Sequence, residues 1–117
     1  MPYSKRTERV SGLLLKEISQ LLLRDIKDPR IGFSTLTKIE VTKDLRYAKV
    51  FVSILGRETD KIQTLRGLVS ASGFIRGELG RRLRLKHIPE LIFKIDDSIE
   101  HAANISKKLE EIKSKDK

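Results

Sequence analysis

The residues best suited to chemistry form a basic, glycine-containing stretch between residues 73 and 87. Its charged residues are five cations, Arg76, Arg81, Arg82, Arg84 and Lys86, and one carboxylate, Glu78. On a helical wheel its apolar residues fall on one side, and its three glycines fall opposite. Glycine in an exposed helix costs about 1 kcal/mol relative to alanine. This pattern predicts a smooth surface that a phosphate backbone can approach closely. Helix packing through small residues, or a locally frayed helix, remains the alternative.

Other cations flank the predicted first helix, at its start and after its end. The full set of residues predicted to contact RNA is Arg6, Arg9, Arg30, Arg76, Arg81, Arg84, Lys86 and His87. A solvated helix surface explains the first three of these equally well. A histidine within a basic run, such as His87, is also typical of an ordinary surface residue.

Motifs for catalysis, metal binding and cofactor binding are missing from the sequence. It contains no cysteine and no phosphate-binding loop of the nucleotide-hydrolysing type. His87 and His101 lie on different predicted elements and have no metal-ligand spacing. The adjacent carboxylates Asp96 and Asp97 should diverge at a strand end, where helix capping explains them better than acid–base catalysis. The sequence therefore predicts no catalytic residue, no metal site and no cofactor.

Composition favours one folded domain with a polyanionic partner. The chain has 117 residues, of which 38% are hydrophobic, and a net charge of +9. This charge predicts binding to nucleic acid or, less often, to an acidic membrane surface. No apolar run is long enough for a membrane span, and the first nine residues lack the apolar core of a signal peptide. We expect a cytoplasmic, monomeric protein without a membrane anchor.

Periodicity divides the chain into seven elements. Apolar intervals of three and four predict a helix over residues 4–25, and alternation predicts strands over 33–41 and 48–54 with a turn at Lys43-Asp44. Alternation places Phe33, Thr35, Thr37, Ile39 and Val41 on the inner side of the first strand. Two helices follow, one capped by Asp60 with an apolar face of Ile62, Leu65 and Val69, and one carried by Ile75, Leu79 and Leu83. A third strand around 91–95 and a helix over 97–112 complete the chain.

The predicted order is α-β-β-α-α-β-α, which gives an α+β fold with a three-stranded sheet and helices on one face. Residues 1–112 form a single domain, and residues 113–117 form a short basic tail that frays. Gly77-Glu78-Leu79-Gly80 matches the G-x-x-G of KH loops, but Glu78 would place a carboxylate against phosphate. The better break between the two central helices is Ala71-Ser72-Gly73.

Aromatic residues give little sign of base recognition. The side chain of Phe51 faces away from the apolar side of its strand, so it either stacks on a base or lies beneath a helix. Base stacking on a sheet needs paired exposed aromatics, for which the signal is weak. Folded RNA contacted through its backbone is therefore favoured.

Five short motifs resemble the ribosome-binding factor A family, in the order that this family shows, over residues 6–112. They are Asp28-Pro29-Arg30, Asp44-Leu45-x-x-Ala48-x-Val50-x-Val52-Ser53, Ala71-Ser72-Gly73-Phe74-Ile75-Arg76, Pro89-Glu90-Leu91-x-Phe93 and Asp96-Asp97-Ser98. Two positions depart from the family pattern. Gly77 is unusual at its position, and Ala102 stands where glycine is frequent.

The resemblance implies a type II KH-like domain in which a kink at Ala71, Ser72 and Gly73 replaces the G-x-x-G loop. It implies a non-catalytic factor that binds 16S rRNA in the free small (30S) ribosomal subunit. It also implies a part in late 16S rRNA maturation, including 5′-end processing, in cold adaptation, and a functional link to assembly GTPases. Alternatives are a generic KH-like RNA-binding or RNA-chaperone protein, a ribonuclease, which the missing acid–base pair argues against, and a membrane-surface protein, for which no suitable helix is present.

Overall fold

The protein is described by a computed structural model that covers residues 5–24, 26 and 34–98. Its elements are helix α1 (Lys5–Arg24), strands β1 (Ser34–Val41) and β2 (Tyr47–Ile54), helix α2 (Glu58–Arg82) and strand β3 (Glu90–Ile95). The predicted α+β class and three-stranded sheet are confirmed. Four predicted features lie outside the described residues: Arg30, inward-facing Phe33, the helix over 97–112 and the tail.

Helix α1 forms because its apolar residues recur at helical spacing. Its buried residues are Thr7, Val10, Leu14, Ile18 and Leu21. Glu8 in the first turn and Arg24 in the last turn suit the helix dipole. This stripe packs on the sheet, so α1 agrees with the prediction from periodicity.

The sheet has the order β1-β2-β3 and is covered by helices on one face. β1 and β2 form an antiparallel hairpin, whereas β2 and β3 are parallel and are connected through α2. The inward residues of β2, Ala48, Val50, Val52 and Ile54, are at most 3% exposed and join both helices in one core. The strand alternation predicted for β2 is therefore confirmed.

The inward side of β1 was predicted only in part. Ile39 and Val41 are buried, but Thr35 is exposed and Leu36 packs against the core instead. The register shifts between Leu36 and Lys38, so Thr37 is an extra residue in the strand. A β-bulge of this kind reverses the side to which the preceding residues point, which unbroken alternation does not foresee.

The two predicted central helices are one continuous helix, α2. The break predicted at residues 71–73 does not interrupt its hydrogen-bonded course, and Asp60 lies in its first turn, where it accepts the Arg57 backbone N–H at 2.8 Å. The predicted apolar face of the first helix is wrong for Ile62 and Val69, which are 47% and 57% exposed, whereas Leu65 packs against the core as predicted.

The reason lies in the continuity of α2. Its buried face contains Lys61, Thr64, Leu68, Ile75 and Leu79, which recur at helical intervals along the whole element. Because Val69 follows Leu68, it points about 100° away from this face. The C-terminal half of α2 thus determines which side of the N-terminal half is buried. Neither described helix has the length and apolar character needed to cross a bilayer.

Candidate nucleic-acid interface

A groove of about 720 Å³ opens at the end of the sheet where four parts of the chain meet. These parts are the start of α1, the β1–β2 turn with the first residue of β2, the C-terminal half of α2, and the loop before β3 with the first residue of β3. The cations that line it are Arg6, Lys43, Arg46, Arg76 and Lys86, joined by His87, and its carboxylates are Asp44 and Glu90. The groove therefore has a clear excess of positive charge.

Strand pairing fixes the β1–β2 turn against the loop before β3. The backbone N–H of Glu90 donates to the carbonyl of Arg46 at 2.8 Å, and Tyr47 is the register partner of Glu90. Residues on the turn and in the loop, about 40 positions apart in sequence, therefore face each other across the groove. Backbone hydrogen bonds hold this arrangement before any ligand arrives.

Arg76 connects α2 to the same loop. It follows the fully buried Ile75, so its side chain emerges at the edge of the core. Its Nη2 donates to the carbonyl of Ile88 at 3.2 Å. A guanidinium has five N–H donors, so this single contact leaves others that can bind a phosphate.

The β1–β2 turn is ordered by Asp44 and by a residue with unusual backbone geometry. The Thr42 hydroxyl donates to Asp44 Oδ1 at 2.7 Å, and the Arg46 N–H donates to the same oxygen at 3.1 Å. Both hydrogen bonds lower the pKa of Asp44, and the one from Thr42 has the larger effect. Leu45 adopts φ 61°, a left-handed conformation that is uncommon outside glycine. The turn thus presents Lys43 and Arg46 from a defined backbone.

The structure brings together half of the predicted RNA-contacting residues. Arg6, Arg76, Lys86 and His87 line the groove, whereas Arg9, Arg81 and Arg84 do not. Arg84 was predicted on a helical face, but α2 ends at Arg82 because the chain turns extended at Leu83, the C-cap residue. All eight contacts with RNA remain predictions.

Arg81 has a closer ion pair than the groove cation Arg46, whose Nε lies 3.9 Å from Asp44 Oδ2. Arg81 Nη1 lies 2.7 Å from Glu78 Oε1, and the neighbouring Arg82 lies 3.4 Å from Glu78 Oε2 and 3.8 Å from Glu17 of α1. The side chain of Glu78 is only 17% exposed, so these pairs are partly shielded from water. This cluster joins α1 to α2 and serves the fold.

Lys43 and Arg46 are the groove cations that sequence analysis missed. Both residues lie in a turn with no unusual excess of positive charge. The pairing of β2 with β3 brings this turn near the basic loop. The sequence motif around Asp44-Leu45 marks the turn but not its neighbour in space.

Three glycines of α2, Gly73, Gly77 and Gly80, are exposed, whereas Gly67 of the same helix is buried. A Cβ built at Gly73 or Gly77 would meet no atom within 4 Å, and one at Gly80 would only touch Ile88 at 3.9 Å. No described residue packs against Gly73 or Gly77, so helix packing does not explain them in the part of the chain that the structure describes. Within 5–24, 26 and 34–98, no three His, Asp or Glu side chains converge as metal ligands.

Comparison with known proteins agrees with these motifs and this topology. A family model described as ribosome-binding factor A matches residues 6–109. A protein of that name from Caldanaerobacter subterraneus subsp. tengcongensis is 55% identical over 108 residues, which cover 92% of this chain and 88% of the other.

Structures with the same fold include an NMR structure and a homology model fitted into a cryo-EM map. The NMR structure of a Thermotoga maritima protein, named as a candidate ribosome binding factor A, has a TM-score of 0.69 at 33% identity and covers 80% of this chain and 90% of that one. A homology model of the Thermus thermophilus factor, fitted into the cryo-EM map of a 30S complex with it, has a TM-score of 0.62 at 24% identity over 74% and 91% of the two chains. The chain belongs to the ribosome-binding factor A family.

Proposed function

We propose that this protein binds 16S rRNA in the free small ribosomal subunit and assists its late maturation without catalysing a reaction. The observation that carries the proposal is the groove, in which cations from four parts of the chain converge on one concave surface. Family membership supports a ribosomal partner, and the fit of a homology model of the Thermus thermophilus factor into a map of a 30S complex supports the small subunit.

The groove acts by neutralising phosphates of a folded RNA. Lysine and arginine side chains that contact phosphates release condensed counterions, which supplies much of the binding free energy. The paired turn and loop hold the backbone near Arg46 and Lys86 in place, so little loop ordering accompanies binding. An rRNA conformation whose phosphates match this spacing binds more tightly than its alternatives, and binding shifts the population toward it.

A bend of α2 at Ala71, Ser72 and Gly73 belongs to the same proposal. Ser72 Oγ donates to the carbonyl of Val69 at 2.7 Å, and such a hydroxyl competes with the backbone ladder and favours bending. Gly73 adds backbone freedom where no neighbour requires a small residue. A bend there would give the type II KH-like arrangement, with the bend in place of the G-x-x-G loop.

The remaining family expectations are proposals of the same kind. They are a part in 5′-end processing of 16S rRNA, a role in cold adaptation, a functional link to assembly GTPases, a cytoplasmic location and a monomeric state. A single domain over residues 1–112 with a short tail over 113–117 is proposed in the same way.

Co-sedimentation with purified small subunits, large subunits and whole ribosomes tests the proposal. The double variant Arg76→Glu with Lys86→Glu reverses two groove charges and should abolish sedimentation with small subunits. The matched control, Lys16→Glu with Arg24→Glu, reverses two exposed charges of α1 outside the groove and should sediment as the unmodified protein does. Equal binding by both double variants would place the RNA surface elsewhere.

A third double variant separates the groove from the surface predicted along α2. Arg81→Gln with Arg84→Gln removes two predicted RNA-contacting cations that lie outside the groove: near-normal binding would restrict the RNA surface to the groove, and weakened binding would extend it along α2. Affinity for bulk RNA, measured beside affinity for small subunits, distinguishes a subunit-specific factor from a generic RNA chaperone. Equal affinities would favour the generic function.

A further inference from the structure

The face of the sheet opposite the helices carries lysines and aromatic rings in regular rows. Strand register places Lys38, Phe51 and Lys94 side by side across the three strands. The adjacent row contains Glu40 of β1, Lys49 of β2 and Ile92 of β3, which is 37% exposed. The buried residues of β2 point to the side where the helices pack, and these outward residues alternate with them along the strand. None of the described helices therefore packs on this side.

Phe51 is the centre of this face. Its ring is half-buried, and Lys38 Nζ lies 4.6 Å from the ring centroid. Lys38 also lies 3.4 Å from Glu40 Oε1, with 55% of its side chain exposed. Of the two sequence alternatives for Phe51, the position beneath a helix is therefore wrong for the described helices. An exposed cation over a ring is displaced readily, since stacking of a base on an aromatic ring is typically the stronger contact.

Tyr47 connects this face to the groove. It lines the groove and is 42% exposed, and it points to the same side of β2 as Lys49 and Phe51. Four residues along a strand separate Tyr47 from Phe51 by about 13 Å. A strand of RNA that leaves the groove at Tyr47 therefore meets Phe51 next.

We propose that this open sheet face binds a single-stranded RNA segment that continues from the groove. One base stacks on Phe51, a second contacts Tyr47, and Lys38, Lys49 and Lys94 neutralise the phosphates between and beyond them. Isolated rings among cations are typical of single-strand binding, whereas a protein partner needs a more continuous apolar core. The placement beside the groove rests on the proposed function, but binding at Phe51 does not.

A single tryptophan makes the stacking directly visible. The chain has no tryptophan, so Phe51→Trp gives a protein whose tryptophan emission reports on this position alone. Titration with a short oligouridylate should quench that emission in a saturable manner, because the base stacks on the indole. Unchanged emission at concentrations where the RNA is bound, as judged by anisotropy of a labelled oligonucleotide, would overturn the proposal.

Two further substitutions separate the ring from the bulk of the side chain. Phe51→Leu keeps an apolar side chain but removes the ring, and should weaken oligouridylate binding by about tenfold. Phe51→Tyr keeps the ring and should bind as the unmodified protein does. Equal weakening by both substitutions, or by neither, would contradict stacking.

The groove variant Arg76→Glu with Lys86→Glu distinguishes failure here from failure of the proposed function. Combined with Phe51→Trp, it should keep quenching by the short oligonucleotide while losing small-subunit binding. If quenching persists and subunit binding also persists, the groove assignment fails and the sheet face stands. If Phe51→Leu abolishes subunit binding although no oligonucleotide quenches Phe51→Trp, the face contacts another component of the subunit and the RNA proposal is wrong.

Discussion

The hydroxyl of Thr37 donates a 2.6 Å hydrogen bond to Oδ2 of Asp96, 59 residues later in the chain. Thr37 is the bulged residue of β1, and Asp96 directly follows β3, so the bond joins the two edge strands across β2. The other carboxylate oxygen accepts the Ser98 N–H at 3.0 Å, and the Asp96 N–H donates to the Val52 carbonyl at 2.7 Å. The bulge thus has a structural role, because it brings Thr37 to the carboxylate at the end of the sheet.

Asp96 should make the stability of the fold dependent on acid. Hydrogen bonds from Ser98 and Thr37 lower its pKa from 3.8 to about 2. A carboxylate with a lowered pKa in the folded state stabilises the fold above pH 3.8, and this contribution is lost as the pH falls through about 2. We expect Asp96→Asn to lower the free energy of unfolding at neutral pH, and the deficit to shrink toward zero in acid. Urea unfolding at a series of pH values measures it.

Asp97→Asn is the matched control for this measurement. It makes the same change at the adjacent, exposed residue, which forms no comparable hydrogen bond with the residues that the structure describes. Its unfolding free energy should follow that of the unmodified protein across the range. A deficit for Asp96→Asn that stays constant down to the lowest pH would show that the charge of Asp96 is not what matters.

The buried face of α2 gives a prediction that compares two adjacent residues. Leu68 is fully buried, whereas Val69 is 57% exposed. Leu68→Ala should lower the free energy of unfolding by about 2 to 5 kcal/mol, since it leaves a cavity in the core. Val69→Ala should change it by no more than about 0.5 kcal/mol. Urea unfolding of both variants checks this, and a large loss for Val69→Ala would restore the face predicted from periodicity.

Local pattern predicted those elements whose burial follows from their own residues. α1 and β2 each carry one unambiguous apolar stripe, so period alone identifies their inner side. β1 was predicted correctly only after its bulge, because the extra residue Thr37 is specified by its contact with Asp96, far away in sequence. In α2, Ile62 and Val69 have the spacing of a buried face, but they are exposed because the rest of the helix buries a different side.

The groove was predictable only in part, for a similar reason. The basic run that contains Arg76 and Lys86 is visible in the sequence. Because α2 ends within this run, its cations do not all lie on one helical face. Glu78 forms an ion pair with Arg81, so that cation is less available to a phosphate. Lys43 and Arg46 reach the groove through the parallel pairing of β2 with β3, which is set by the connection through α2 and by no local motif.

Gly77, one of the exposed glycines of α2, gives a prediction in which stability and binding change in opposite directions. A methyl group at Gly77 meets no atom within 4 Å, so Gly77→Ala should raise the free energy of unfolding by up to about 1 kcal/mol. If the glycine surface lets an RNA backbone approach, the same methyl group should weaken small-subunit binding. Urea unfolding and co-sedimentation measure the two effects.

Gly12→Ala provides the comparison for that pair of effects. Gly12 is exposed on α1, where an added Cβ also meets no atom within 4 Å. The substitution should stabilise α1 by a similar amount and leave subunit binding unchanged. Should Gly77→Ala bind as tightly as Gly12→Ala, close approach of RNA to α2 is not the reason for the glycine.

The groove predicts how affinity responds to salt. If its five cations each contact a phosphate, the slope of log K against log salt concentration should be about −4. Arg46→Gln and Lys43→Gln should each reduce the magnitude of the slope by about 1, because each removes one phosphate contact. Lys16→Gln, which removes an exposed cation outside the groove, should leave the slope unchanged. Filter binding of small subunits over a range of potassium concentrations gives these slopes, and a shared slope for Arg46→Gln and Lys16→Gln would mean that the β1–β2 turn does not contact the RNA.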